Sequence, residues 1–112
     1  MNISDLVPQP SNCEPFKRSR HRFVPQRSGC YVLASFSRVV LYVGLAKNLR
    51  TRMNNHLDSS AKTGETPLGR AVLFFWLETP EINKVERTWM NTHIQHEGKL
   101  PILNVAFSPV ST

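Results

Sequence analysis

The chain has 112 residues, 40% of them hydrophobic and 20% charged, which suits one globular domain with a single modest core and excludes a two-domain protein. Fourteen Lys and Arg against eight Asp and Glu give a formal charge of +6, so an acidic polymer is the natural partner, nucleic acid being the commonest. The longest apolar run, Ala71 to Leu77, is far short of a membrane span, and no apolar stretch with a cleavage site follows Met1, so a cytoplasmic location is expected. Cys13 and Cys30 lack a CxxC spacing and read as reduced, structurally incidental thiols.

Residues 1–27 are expected to form a basic, Pro-rich arm separate from a domain over residues 28–112. Pro8, Pro10, Pro15 and Pro25 oppose regular structure there, which predicts an extended segment packed in part through Phe16 and Phe23. Its cations Lys17, Arg18, Arg20 and Arg22, with Lys47 and Arg50 further on, are the candidate nucleic-acid contacts. Next come two aromatic-glycine words, Gly29-Cys30-Tyr31 and Tyr42-Val43-Gly44. They flank a segment able to turn at Ser35-Phe36-Ser37-Arg38. A turn centred between Phe36 and Ser37 predicts a hairpin in which Tyr31 opposes Tyr42 and Gly29 opposes Gly44, both phenols on one face.

Leu45, Leu49, Met53 and Leu57 recur every fourth residue and predict a helix with one buried stripe, with Asn48 as its N-cap. Asp58 to Gly69, rich in Ser, Thr and Gly, predicts a loop. Ala71 to Leu77 predicts a strand covered on both faces. Thr79-Pro80-Glu81 is a helix start, and Gly98 with Pro101 beyond it is a stop. The expected order of strand, strand, helix, strand, helix is a small α/β layer structure.

Three side chains on these elements can do chemistry. Arg52 and His56, four residues apart, project from one helix face beside its buried stripe; a guanidinium suits a phosphate oxygen, and an imidazole can donate to one or move a proton. Glu86 falls inside the inward stripe of the last helix, with Ile82, Val85, Trp89 and His93. A carboxylate placed there calls for an arginine, Arg52 being one choice, or a metal ion. His93 and His96 lack a convincing third ligand, so zinc is not expected; His93 reads as packed and His96 as exposed.

Gly29-Cys30-Tyr31, Tyr42-Val43-Gly44, Ala46-Lys47-Asn48-Leu49, Arg52-Met53-Asn54-Asn55-His56, Glu86 and Asn104, in that order and with an arginine eight residues after the second glycine, resemble the GIY-YIG nuclease superfamily. The resemblance implies a three-stranded antiparallel sheet flanked by helices, and a metal-dependent DNA endonuclease with one divalent ion, Mg²⁺ or Mn²⁺, bound by Glu86. It implies Tyr31 as general base or water-orienting hydroxyl and Tyr42 at the scissile phosphate or supporting Tyr31. Arg52 would neutralise transition-state charge, His56 would be the histidine that restriction-type members place one turn later, and Asn104 would brace the site. Leu45 stands where many members carry lysine, and Lys47 is the candidate substitute. Two other readings remain open at this point: a catalytically degenerate nucleic-acid-binding module, and a targeting subunit of a larger nuclease. A homodimer or a larger nuclease partner is compatible with all three.

Overall fold

The computed structural model describes residues 1–105; residues 106–112 of the expected domain lie outside the described residues. Strands β1 (Asn12–Pro15), β2 (Gly29–Ala34), β3 (Val40–Ala46) and β4 (Leu73–Glu78) form one sheet in the order β1-β4-β2-β3, every pairing antiparallel. The sheet thus has four strands, not the three expected. The extra strand comes from the arm, which is not simply extended. Asn12 to Pro15 pair with Trp76 to Leu73 along the side of β4 that would otherwise be bare. Proline is tolerated in an edge strand, where a missing N–H breaks no ladder. Arm residues 18–23 then make a 3₁₀ turn.

All residues of β2 and β3 are buried, because helices cover both faces. Helix α1 (Leu49–Leu57) lies on the face carrying Tyr31, Leu33, Tyr42, Ala46, Phe74 and Trp76. Helix α3 (Ile82–Glu97) lies on the face carrying Cys30, Val32, Ala34, Val43, Leu45 and Phe75, into which it sends Ile82, Val85, Trp89 and Met90. The arm feeds both cores: Ile3 and Leu6 join the α3 side, Phe16 and Val24 the α1 side. Phe16 is buried as expected, whereas Phe23 is exposed beneath the guanidinium groups of Arg20 and Arg22.

The hairpin register differs from the expected one. Tyr31 opposes Gly44, Leu33 opposes Tyr42, and Gly29 opposes Ala46. Two displacements add up. The turn is closed by Ser35 N–H donating to Val39 C=O, with Arg38 at a φ of 66°, which centres it half a residue later. A bulge then leaves Leu41 between the Leu33–Tyr42 and Ala34–Val40 pairs. Either displacement alone would slip the pairing by one residue and send the tyrosines to opposite faces; together they slip it by two and keep the face.

Leu45 belongs to β3, not to the helical stripe, so α1 begins at Leu49. The Asn48 side chain accepts from Thr51 N–H at 3.1 Å, the cap expected. The loop after α1 contains a short helix, α2 (Ser60–Thr63). Thr79 Oγ1 accepts from Glu81 N–H at 3.0 Å ahead of α3. Gly98 stops the helix in the left-handed region at φ 74°, its N–H donating to Ile94 C=O.

Candidate active site

Tyr31 is the hub of the α1 face. Its ring lies over Gly44, the residue opposite it, where a side chain would collide with the phenol. It stacks on Phe74 with centroids 5.2 Å apart and on Tyr42 at 5.9 Å. Its hydroxyl is hydrogen-bonded to Nε2 of His56 at 2.6 Å, with Tyr42 and Arg52 also within hydrogen-bonding reach. The imidazole meets the Tyr42 ring edge-on at 5.0 Å. One turn of α1 delivers both Arg52 and His56: His56 is buried and Arg52 half-buried. Four of the expected site residues, Tyr31, Tyr42, Arg52 and His56, are therefore brought together.

Burial drives the Tyr31 phenol well above its ordinary range, Tyr42 pushes the same way, and Arg52 pulls back. His56 is pushed down to about 3, first by burial, then by Lys62 and Arg52. At neutral pH both members of the pair are uncharged, which is how a buried polar pair avoids the cost of an unpaired ion. Lys62 was not singled out from the sequence. It projects from α2, its Nζ 5.0 Å from the Tyr42 centroid. The one available signal was that it is the only cation between Asp58 and Gly69. Among the described residues no carboxylate pairs with either Arg52 or Lys62, so the Arg52–Glu86 ion pair is not formed.

Glu86 and Asn104 stand elsewhere. Glu86, 2% exposed, rises from the buried stripe of α3, on the opposite side of the sheet from the tyrosines and next to Cys30. Burial, the largest influence, pushes the Cys30 thiol up to about 12, so it is inert; Cys13 is also a free thiol. Asn104 docks on β3, its Oδ1 accepting from Val43 N–H and its Nδ2 donating to Val43 C=O, each at 2.9 Å. It thus acts as a one-residue strand beside the residue that follows Tyr42. His93 is buried with Nδ1 2.7 Å from Lys99 C=O, and His96 is exposed.

Of the eight carboxylates, Glu86 is the buried one, and no group of three His, Cys, Asp or Glu gathers among the described residues. A single carboxylate ligand is the number with which a hard divalent cation that keeps most of its water is held, and does not suit zinc.

The proposed nucleic-acid contacts have mixed surroundings. Arg50 donates from Nε to Val24 C=O at 2.8 Å and from Nη2 to Arg22 C=O at 3.0 Å, tying α1 to the arm. Arg18 pairs with Asp58, and Arg20 with Glu14 at 2.9 Å. Lys17 and Arg22 are exposed. Lys47 lines an open cleft of about 470 Å³ with Arg27, Glu78 and Thr79, at the far end of the strands.

Comparison with known proteins places the fold and the family. The GIY-YIG catalytic domain family matches residues 27–99. Two solved structures share the fold at a TM-score of 0.50. Both are the GIY-YIG N-terminal endonuclease domain of UvrC from Thermotoga maritima, as tyrosine-to-phenylalanine point mutants bound to the catalytic divalent cation. They are 17% and 16% identical to this chain, and each alignment covers 80% of this chain and 100% of the other. No curated protein matches the chain. No helix among the described residues is long and apolar enough to cross a membrane. The chain belongs to the GIY-YIG family.

Proposed function

We propose that this chain is a metal-dependent endonuclease that hydrolyses DNA phosphodiester bonds, with Tyr31, Tyr42, Arg52 and His56 as its reacting face. The observation that carries the reading is a buried Tyr31–His56 hydrogen bond beside two cations, Arg52 and Lys62, that have no carboxylate partner among the described residues. In this reading the Tyr31 hydroxyl donates to Nε2 of the neutral imidazole. Tyr31 takes a proton from the attacking water as its own proton passes to Nε2, so a phenolate never has to persist in a site that disfavours it. The water oxygen bonds to phosphorus and the opposite P–O bond breaks. Arg52 neutralises charge on the phosphoryl oxygens, Tyr42 hydrogen-bonds beside them, and Asn104 fixes the strand carrying Tyr42. Glu86, the buried carboxylate of α3, would be the residue that holds the single Mg²⁺ or Mn²⁺, and such an ion would supply Lewis-acid charge neutralisation for the hydrolysis.

Nicking of supercoiled plasmid by wild type and Glu86→Gln, with folding checked by circular dichroism, tests this. Metal-dependent nicking that falls by on the order of 10²–10³ in the variant is expected. Intact plasmid with folded wild type, in either metal and across salt, would overturn it. One arrangement favours a second reading, a non-cleaving DNA-binding module: Tyr31 is 0% exposed and α3 packs against the other face of the sheet. That reading predicts DNA binding unchanged by Glu86→Ala. Its log affinity would fall against log salt with a slope of roughly −4.5 if about five phosphates are contacted.

A further inference from the structure

We propose that Lys62, on the short helix α2, is the phosphate-binding cation of this site, parked on the Tyr42 ring until a substrate phosphate displaces it. The inference rests on the nuclease reading above and identifies the residue that receives the substrate's charge.

The two positions that the family resemblance suggests for such a cation, those of Leu45 and Lys47, are placed elsewhere. Leu45 pairs with Cys30, faces α3 and is 1% exposed, so that site supplies no charge. Lys47 lies beyond the end of β3, five residues from Tyr42, which is roughly 16 Å along an extended chain. It borders the cleft with Arg27 and Glu78 instead. Lys62, by contrast, reaches the tyrosines from outside α1, over the Tyr42 ring.

Its hold on them is of the kind a phosphate can replace. The ammonium lies 5.0 Å from the Tyr42 centroid, with no carboxylate paired to it among the described residues. A phenol face attracts a cation more weakly than a phosphate oxygen does. The segment bearing it is anchored at its base. Arg18 of the arm pairs with Asp58, and Thr63 Oγ1 donates to Ser59 C=O at 3.0 Å, so α2 presents Lys62 from a fixed root. Lys62 is also felt by the reacting pair, since it is the second cause of the low His56 pKa after burial. Arg52 from α1 and Lys62 from α2 therefore flank the Tyr31–Tyr42–His56 cluster with two cations, one for each non-bridging oxygen of a phosphodiester.

The test compares wild type with Lys62→Met, which keeps the stem and removes the charge, and Lys62→Arg, which keeps the charge. Binding of a short DNA duplex without metal is measured across salt, and plasmid nicking with Mg²⁺ or Mn²⁺ alongside. Lys62→Met should make the salt slope about 0.9 shallower, the loss of one phosphate contact. It should also lower nicking by on the order of 10²-fold, with Lys62→Arg close to wild type in both. A folded Lys62→Met with an unchanged slope overturns the proposal whether or not the plasmid is cut. So does a folded Lys62→Arg as defective as Lys62→Met, since the charge would then not be what matters. A reduced slope with no nicking by wild type would instead overturn the nuclease reading and leave Lys62 as a phosphate contact.

Discussion

Substituting Gly44 by alanine tests how firmly Tyr31 is held. A Cβ at position 44 would sit 2.5 Å from both Cζ and Oη of Tyr31 and 2.9 Å from Cε1. Non-bonded carbons rest at about 3.5–4.0 Å, so the ring must retreat by roughly 1 Å. It has no free direction: Phe74 stacks on it at 5.2 Å, Tyr42 at 5.9 Å, and the residue is fully buried. Overpacking of this kind costs about 1–3 kcal/mol. Losing the 2.6 Å bond to His56 adds about 0.5–1.5 kcal/mol. For a domain near 100 residues the sum lowers Tm by roughly 10 °C. Calorimetry of Gly44→Ala beside wild type, with the His56 imidazole followed by NMR, measures both effects. A variant that melts within about 2 °C of wild type, with its His56 resonances unmoved, would refute the reasoning.

His56 couples the site to pH. Its folded pKa of about 3, set first by burial and then by Lys62 and Arg52, lies below the 6.5 of an ordinary imidazole. The unfolded chain therefore takes up a proton near 6.5 that the native chain refuses until about pH 3, and stability is lost as pH falls through that window. Between pH 7 and pH 5 wild type should lose about 2 kcal/mol more than His56→Gln in urea denaturation; equal losses would remove the claim. Asn104→Ala strips the edge of β3 of two hydrogen bonds. It should cost about 1–3 kcal/mol and speed amide exchange at Val43 while leaving Val32 protected. Unchanged exchange at Val43 would show that the strand holds without Asn104.

Local chemistry made much of the molecule legible from sequence, and long-range pairing hid the rest. Asn48 and Gly98 carry the end signals of their helices in a single residue, and both ends fall where the sequence puts them. Arg52 and His56 share a helix face by spacing alone. The fourth strand was hidden because an edge strand needs only a partner, and nothing in Asn12-Cys13-Glu14-Pro15 announces Phe74 or Trp76 across the ladder. The tyrosine register was hidden because it depends on a turn that closes half a residue late together with a bulge at Leu41, and neither displacement has a marker in the local sequence. Arg50 read as a phosphate contact because its charge is visible in sequence, while the Val24 and Arg22 carbonyls it satisfies are not. Lys62 lay in a loop with no periodicity to place it against Tyr42.

The two buried neutral groups and the two outlying cations form one electrostatic device. Burial keeps the proton on Tyr31, while the same burial with Lys62 and Arg52 keeps His56 a weak base. Free protein therefore has little drive to move a proton from phenol to imidazole. In the nuclease reading a docked phosphodiester would bring one negative charge to the two cations and cancel part of the field that depresses His56. The imidazole would then become a stronger acceptor when a water is in place to be deprotonated, so that substrate binding itself would prepare the base. In the nuclease reading His56 must titrate higher with a metal-free duplex bound than without it, by an amount that shrinks in Lys62→Met. NMR titration of the His56 ring measures both. A His56 pKa that stays near 3 with DNA saturating the protein would mean that the phosphate docks away from this pair, and Tyr31 would lose its role as base.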